Sequence, residues 1–195
     1  MGKLIVISFL TLDGVMQAPG GKDEDPSDGF KYGGWQVPFW GDADDEALPK
    51  DIANAGALLI GRKTYDIFSA YWPTVGKDIQ WIGPFMNNTT KYVASKTLQK
   101  TDWQNSILLE GDIAEAVAKV KKESRKDIYV FGSGNFCQTL MRHHLIDEYF
   151  LKVYPLTLGK GKRLFNPEGP MQNLDLIEST SSKMGVLTLK YKAKT

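Results

Sequence analysis

Three short segments place glycine, hydroxyl and cationic residues directly after apolar runs: Gly132-Ser133-Gly134-Asn135-Phe136, Gly61-Arg62-Lys63-Thr64 and Ser95-Lys96. The first follows Ile128 to Phe131, a run rich in β-branched and aromatic residues, and helical spacing begins at Phe136. A strand, a glycine turn and a helix start bring several unpaired backbone N–H groups to one point. That point also carries the positive end of a helix dipole, a combination that suits a phosphate. A side chain at Gly134 would hold a pyrophosphate away from the backbone, and glycine is expected there on conformational grounds as well. The plain alternative is a tight turn that binds nothing. Cys137 stands where a Rossmann fingerprint has its third glycine, so the segment is not that motif.

These segments need elements to position them. Lys3 to Leu10, Ala57 to Ile60, Lys91 to Ser95, Ser106 to Glu110 and Ile128 to Phe131 read as strands. Ile146 to Tyr154 reads as another, and Leu174–Thr180 with Val186–Tyr191 as a closing antiparallel hairpin. Helices are expected from Asp42 through Ala55, from Asp66 to Tyr71 before Pro73, from Asp112 to Lys122 and from Phe136 to Arg142. Alternation of this kind implies an α/β fold: a mainly parallel twisted sheet, helices on both faces and a C-terminal antiparallel hairpin. Ligands of such sheets sit beyond the carboxyl ends of the strands, where the glycine, hydroxyl and cationic residues converge. The segment from Gly14 to Gly41 has no periodicity and carries Tyr32, Trp35, Phe39 and Trp40. Its aromatics argue for a lid or binding loop over a disordered insertion.

The 195 residues fit one domain, 1–195. With 42% hydrophobic and 24% charged residues the chain is that of an ordinary globular protein. A formal net charge of +1 gives nucleic-acid binding no electrostatic support. One cysteine, Cys137, excludes an intrachain disulfide or a multi-cysteine metal site, and it reads as a small core residue. The adjacent pair His143-His144 diverges on a helix or strand, so no metal is expected. Leu4 to Leu10 is too short for a membrane span and reads as a strand, leaving a cytoplasmic location as the expectation.

At these residues the chain resembles the dihydrofolate reductase-like fold, and more closely its relative, the reductase domain of riboflavin biosynthesis. Gly61-Arg-Lys-Thr-Tyr65 resembles the Gly-Arg-x-Thr-aromatic motif of dihydrofolate reductases, and Gly132-Ser-Gly-Asn-Phe136 the glycine turn of that fold. Thr11-Leu-Asp-Gly14, Leu145-Ile-Asp-Glu148, Pro155 to Gly159 and Leu164-Phe165 are similar to the riboflavin-type domain. The resemblance implies NADPH as cofactor, held by Gly61, Arg62, Lys63, Thr64, Ser95, Lys96 and residues 132–136, with a small heterocyclic, imine or carbonyl substrate. It implies 5-amino-6-(5-phosphoribosylamino)uracil reductase as the family activity, and a homodimer. A dihydrofolate reductase-type pterin reductase and a non-catalytic NADP(H)-binding protein stand as alternatives. Val15 occupies a position where the riboflavin-type segment continues with lysine, which favours the non-catalytic reading. Hydride transfer also needs a proton source near the acceptor atom. Asp13, Asp45 and Asp51 are candidates, each with a structural alternative in a turn, helix start or solvated face. Trp35, Trp40 and Tyr71 are candidates for stacking on a flat substrate ring or for packing the loop.

Overall fold

The computed structural model describes residues 1–41, 48, 52–75, 78–79 and 82–194. Eight strands form one sheet among these residues: β1 (Leu4–Thr11), β2 (Ala57–Gly61), β3 (Lys91–Ala94), β4 (Ser106–Leu108), β5 (Ile128–Phe131), β6 (Glu148–Tyr154), β7 (Leu174–Ser181) and β8 (Leu187–Ala193). Their spatial order is β4-β3-β2-β5-β1-β6-β8-β7. The first six run parallel, with Ile7 opposite Phe131 and Phe150; β8 is antiparallel to both β6 and β7. The mainly parallel sheet and the C-terminal hairpin agree with the pattern of the sequence.

Alternation along the central strands decides what each side chain faces. Leu4, Val6, Leu59 and Val130 meet one helical layer, formed by α3 (Ile113–Glu123) and α4 (Gly134–Arg142). Ile5, Ile7, Leu58, Ile60, Tyr129 and Phe131 meet the other, formed by α1 (Arg62–Val75) and α2 (Gly83–Asn88). Burial on both faces explains why these strands read as unbroken apolar runs. Each fully buried Leu or Ile contributes roughly 1.5–3 kcal/mol.

Three departures from the sequence reading have local causes. Helix α1 does not close at Pro73 but runs to Val75. The Trp72 carbonyl in its last turn accepts a hydrogen bond from Asn87 Nδ2 at 2.9 Å, so α2 supports the end that proline weakens. Helix α2 itself was not expected, because six residues are too few to show a period. Its start is set by Pro84, and its end by Lys91, whose Nζ donates to the carbonyls of Met86, Asn87 and Thr89 at 2.7–3.1 Å. The helix expected from Asp42 to Ala55 falls largely outside the described residues; Ile52–Asn54 form one 3-10 turn.

The segment from Gly14 to Gly41 is not a loose cover. Trp35 packs edge-on against Tyr154 with ring centroids 5.4 Å apart, and Phe39 does the same at 5.3 Å. With Val186 they form a third, small core beside the main sheet. Gln36 Nε2 donates to the Tyr154 hydroxyl at 2.6 Å, and Trp35 Nε1 to the Gln17 carbonyl at 2.8 Å. The segment is therefore a wall anchored on β6.

Candidate functional site

A cleft of about 2370 Å³ opens at the carboxyl ends of β1, β2, β3 and β5. All eleven residues expected to hold a cofactor line it: Gly61, Arg62, Lys63, Thr64, Ser95, Lys96, Gly132, Ser133, Gly134, Asn135 and Phe136. The ring of Phe136 lies in the core under α4, so that residue offers the cleft mainly its backbone.

The two glycine junctions are built into one another. A Cβ on Gly61 would come within 2.5 Å of Ser133 Oγ and 2.8 Å of Ser133 Cβ, so only glycine lets β2 end against the turn after β5. Ser133 Oγ lies 2.9 Å from Thr64 Oγ1 and accepts from the Thr64 N–H at 3.4 Å. The hydroxyl that precedes α4 is thus turned towards the first turn of α1. Among the described residues no side chain caps α4, and its first turn, which lines the cleft, carries no acidic residue. Helix α3 differs: Asp112 caps it by accepting the Glu115 N–H at 3.0 Å.

The glycine with special backbone geometry is Gly132, not Gly134 as expected. Gly132 has φ of +49°, and a Cβ there would lie 2.8 Å from Thr64 Oγ1. Gly134 is the first residue of α4, is absent from the positive-φ glycines, and has only Met16 Sδ at 3.4 Å and the Arg163 carbonyl at 3.5 Å near its would-be Cβ. The turn needs its left-handed residue two positions earlier.

Cations line the cleft in two groups. Arg62 Nε donates to both Asp66 oxygens at 2.8 and 2.9 Å, and Arg62 NH1 donates to Thr97 Oγ1 at 3.2 Å. Lys96 has no ion pair among the described residues. On the other side, Lys162 Nζ pairs with Asp25 at 2.8 Å and donates to Ser27 Oγ at 2.6 Å, while Lys63 Nζ lies 3.5 Å from Asp25. Burial alone raises the Asp25 pKa, but the Lys162 and Ser27 hydrogen bonds and the two ammonium charges outweigh it, and the net shift is downward. Lys162 and Arg163 lining the cleft were not singled out from the sequence. The glycine-flanked run Gly159-Lys-Gly-Lys-Arg163 was their signal.

Four of the remaining expectations need correction or lie outside the described residues. Trp35 is 6% exposed in the third core and does not line the cleft, so it packs the wall and cannot stack on a ligand. Trp40 and Tyr71 do line the cleft, at 59% and 42% exposure. Asp13 is likewise off the cleft lining. Its carboxylate accepts from the Thr11 hydroxyl at 2.5 Å and from the Leu158 and Gly159 N–H groups at 3.2 and 2.7 Å, with Arg163 3.6 Å away. Burial raises its pKa, but those hydrogen bonds prevail and lower it, the reverse of what a proton donor needs. Asp45 and Asp51 lie outside the described residues. Cys137 is fully buried, and burial pushes its thiol up to about 12, in keeping with a core residue.

Glycine junctions at the ends of parallel strands, one cleft and a closing antiparallel hairpin define a dihydrofolate reductase-like α/β protein. Residues 2–188 match the model of the RibD C-terminal domain, and the chain belongs to that family. Two uncharacterized proteins of Bacillus subtilis (strain 168) are similar in sequence. YyaP is 28% identical over 97% of this chain and 94% of its own length, and YwjB is 22% identical over 84% and 83%. Among solved structures, a Shewanella sp. PV-4 protein named for riboflavin biosynthesis superposes with a TM-score of 0.69 at 17% identity, covering 99% of both chains. A pyrimidine reductase-like protein of Corynebacterium diphtheriae gives 0.65 at 14% identity, covering 100% of this chain and 92% of its own.

Proposed function

We propose that the protein is an NADPH-dependent reductase that delivers a hydride to a small heterocyclic, imine or carbonyl compound, with a phosphoribosylamino-uracil as the family's substrate type. The observation that carries this reading is the joint cradle at Gly61 and Gly132. Two helix starts, one of them without a side-chain cap among the described residues, open on a cation-lined cleft roomy enough for a dinucleotide. A bound nicotinamide dinucleotide would supply the hydride, and the protein's part is to hold and orient it. Among the described residues, Lys96 is a cation free to meet the phosphate that distinguishes NADPH from NADH, since Arg62 is engaged by Asp66. Fluorescence titration is expected to give NADPH an advantage over NADH of about tenfold, about 1.4 kcal/mol, which Lys96→Ala abolishes. Equal affinity of the wild type for both cofactors sinks the NADPH assignment.

The non-catalytic reading loses its main support in the position of Val15. That side chain is fully buried, and Gly161 leaves the space it fills, since a Cβ at 161 would meet Val15 Cγ1 at 2.5 Å. Residue 15 therefore points into the wall, and the replaced lysine says little about turnover. Oxidation of NADPH followed at its absorbance band against a panel of pterins and aminouracils tests catalysis; none oxidised by a protein that binds NADPH would restore the non-catalytic reading. We also propose a homodimer through the hairpin face, where Leu176, Ile177 and Leu187 stand exposed on β7 and β8.

A further inference from the structure

The reductase reading calls for an acid beside the hydride acceptor, and the six described carboxyls on the cleft lining can be sorted by what already holds them. Asp66 is bound by Arg62, Asp25 by Lys162, and Asp112 caps α3. Asp23 and Asp28 are exposed to solvent. Glu24 is different. Its Oε2 accepts the Gly20 and Gly21 N–H groups at 2.8 and 3.1 Å, which fixes the side chain without neutralising it by a cation. Its Oε1 has no protein partner among the described residues and is not sealed off from solvent, and the residue lines the cleft.

We infer that Glu24 is the proton donor of the reduction, an assignment that rests on the reductase reading. The step balances as follows. A bound reduced nicotinamide would supply the acceptor carbon with a hydride, the electron pair of its breaking C–H bond included. The π pair of the C=N or C=O bond moves to the heteroatom. That atom takes the proton from Glu24 Oε1, leaving a carboxylate and an oxidised cofactor. Burial raises the Glu24 pKa most, the two backbone N–H groups lower it, and the charge of neighbouring Asp25 raises it; the net shift is upward. Among the described residues, Asp23 precedes it in solvent, and Lys63 and Lys162 are turned to Asp25. No segment of regular periodicity contains Glu24, and its role depends on how the wall folds back on the cleft. Sequence spacing therefore gave no sign of it.

Glu24→Gln keeps an oxygen for the two N–H groups and removes only the acid. In protein labelled with ¹³C-carboxyl glutamate, the resonance missing from this variant identifies Glu24, and with NADPH bound it is expected to titrate above the ordinary value of 4.5. The variant is expected to bind NADPH within twofold of wild type by fluorescence. Its kcat on any panel substrate falls at least tenfold, and the wild-type decline of kcat with rising pH disappears. A midpoint at or below 4.5 overturns the inference, as does unchanged kcat. So does loss of the pH-dependent limb in Asp45→Asn or Asp51→Asn while Glu24→Gln keeps it. Where no panel substrate turns over, the titration alone decides. Wild type that binds no NADPH instead removes the reductase reading and the inference with it, a result distinct from a low midpoint in the NADPH complex.

Discussion

Two glycines two positions apart do different work, and exchanging each for alanine separates backbone strain from ligand approach. At Gly132 a side chain meets both a left-handed φ and Thr64 Oγ1, so Gly132→Ala is expected to cost about 1–3 kcal/mol of stability. Gly134→Ala, at the first position of α4 with room for its Cβ, should leave the urea midpoint nearly unchanged. The bulkier Gly134→Val is expected to lose at least tenfold in NADPH affinity, about 1.4 kcal/mol, while circular dichroism shows it folded. Full affinity in that variant would mean that α4 does not meet the pyrophosphate. The glycines and cations were legible in the sequence because each sits at a fixed offset from an apolar strand. Which glycine carries the positive φ was not, since two alternate within one turn.

At the scale of elements, the strands read well because burial on both faces leaves a compositional mark. Loops read poorly. Trp35 and Trp40 are equivalent in an aperiodic stretch, and only the folded chain shows that Tyr154 receives the first and solvent and cleft the second. Likewise Asp13 looked like a site residue because it follows β1, whereas it ties that turn to the loop around Gly159. Asp13→Ala is accordingly expected to lower stability by about 2 kcal/mol and leave NADPH affinity unchanged; a denaturation curve paired with a cofactor titration checks both. Helix α2 offers a parallel case. Lys91→Met leaves the carbonyls of Met86, Asn87 and Thr89 without their donor, at a cost of about 2 kcal/mol despite the apolar gain. Hydrogen exchange should quicken first in residues 83–88.

For the molecule as a whole, Asp13 and Asp25 are expected to contribute to the loss of stability in acid. Both have native pKa values held below the ordinary 3.8. The stability they supply is therefore fully present above 3.8 and is lost as pH falls through their lower native values. Thermal melts from pH 6 to pH 2 should drop in that acidic range, and Asp25→Asn should lower the melt at pH 6 while flattening the drop. An equal slope in the variant would mean that other carboxylates govern it. Association is tested at the same scale: Leu176→Lys with Ile177→Glu is expected to turn a dimer into a monomer by light scattering, and a wild-type monomer at micromolar concentration rules the hairpin face out.

The strand order also sets a schedule for synthesis. β1 is made first, yet its neighbours are β5 and β6, so it waits about 120 residues for its first partner. At cellular elongation rates that wait is on the order of ten seconds. Throughout it, an apolar strand is available to chaperones or to the same strand of another nascent chain. The cleft draws on β1, β2, β3 and β5 together, so no dinucleotide can stabilise the nascent chain during that interval. Ribosome-bound chains stopped before Ile128 should therefore be open to proteolysis whether or not NADPH is supplied, and only chains that extend past Tyr154 should gain protection from it.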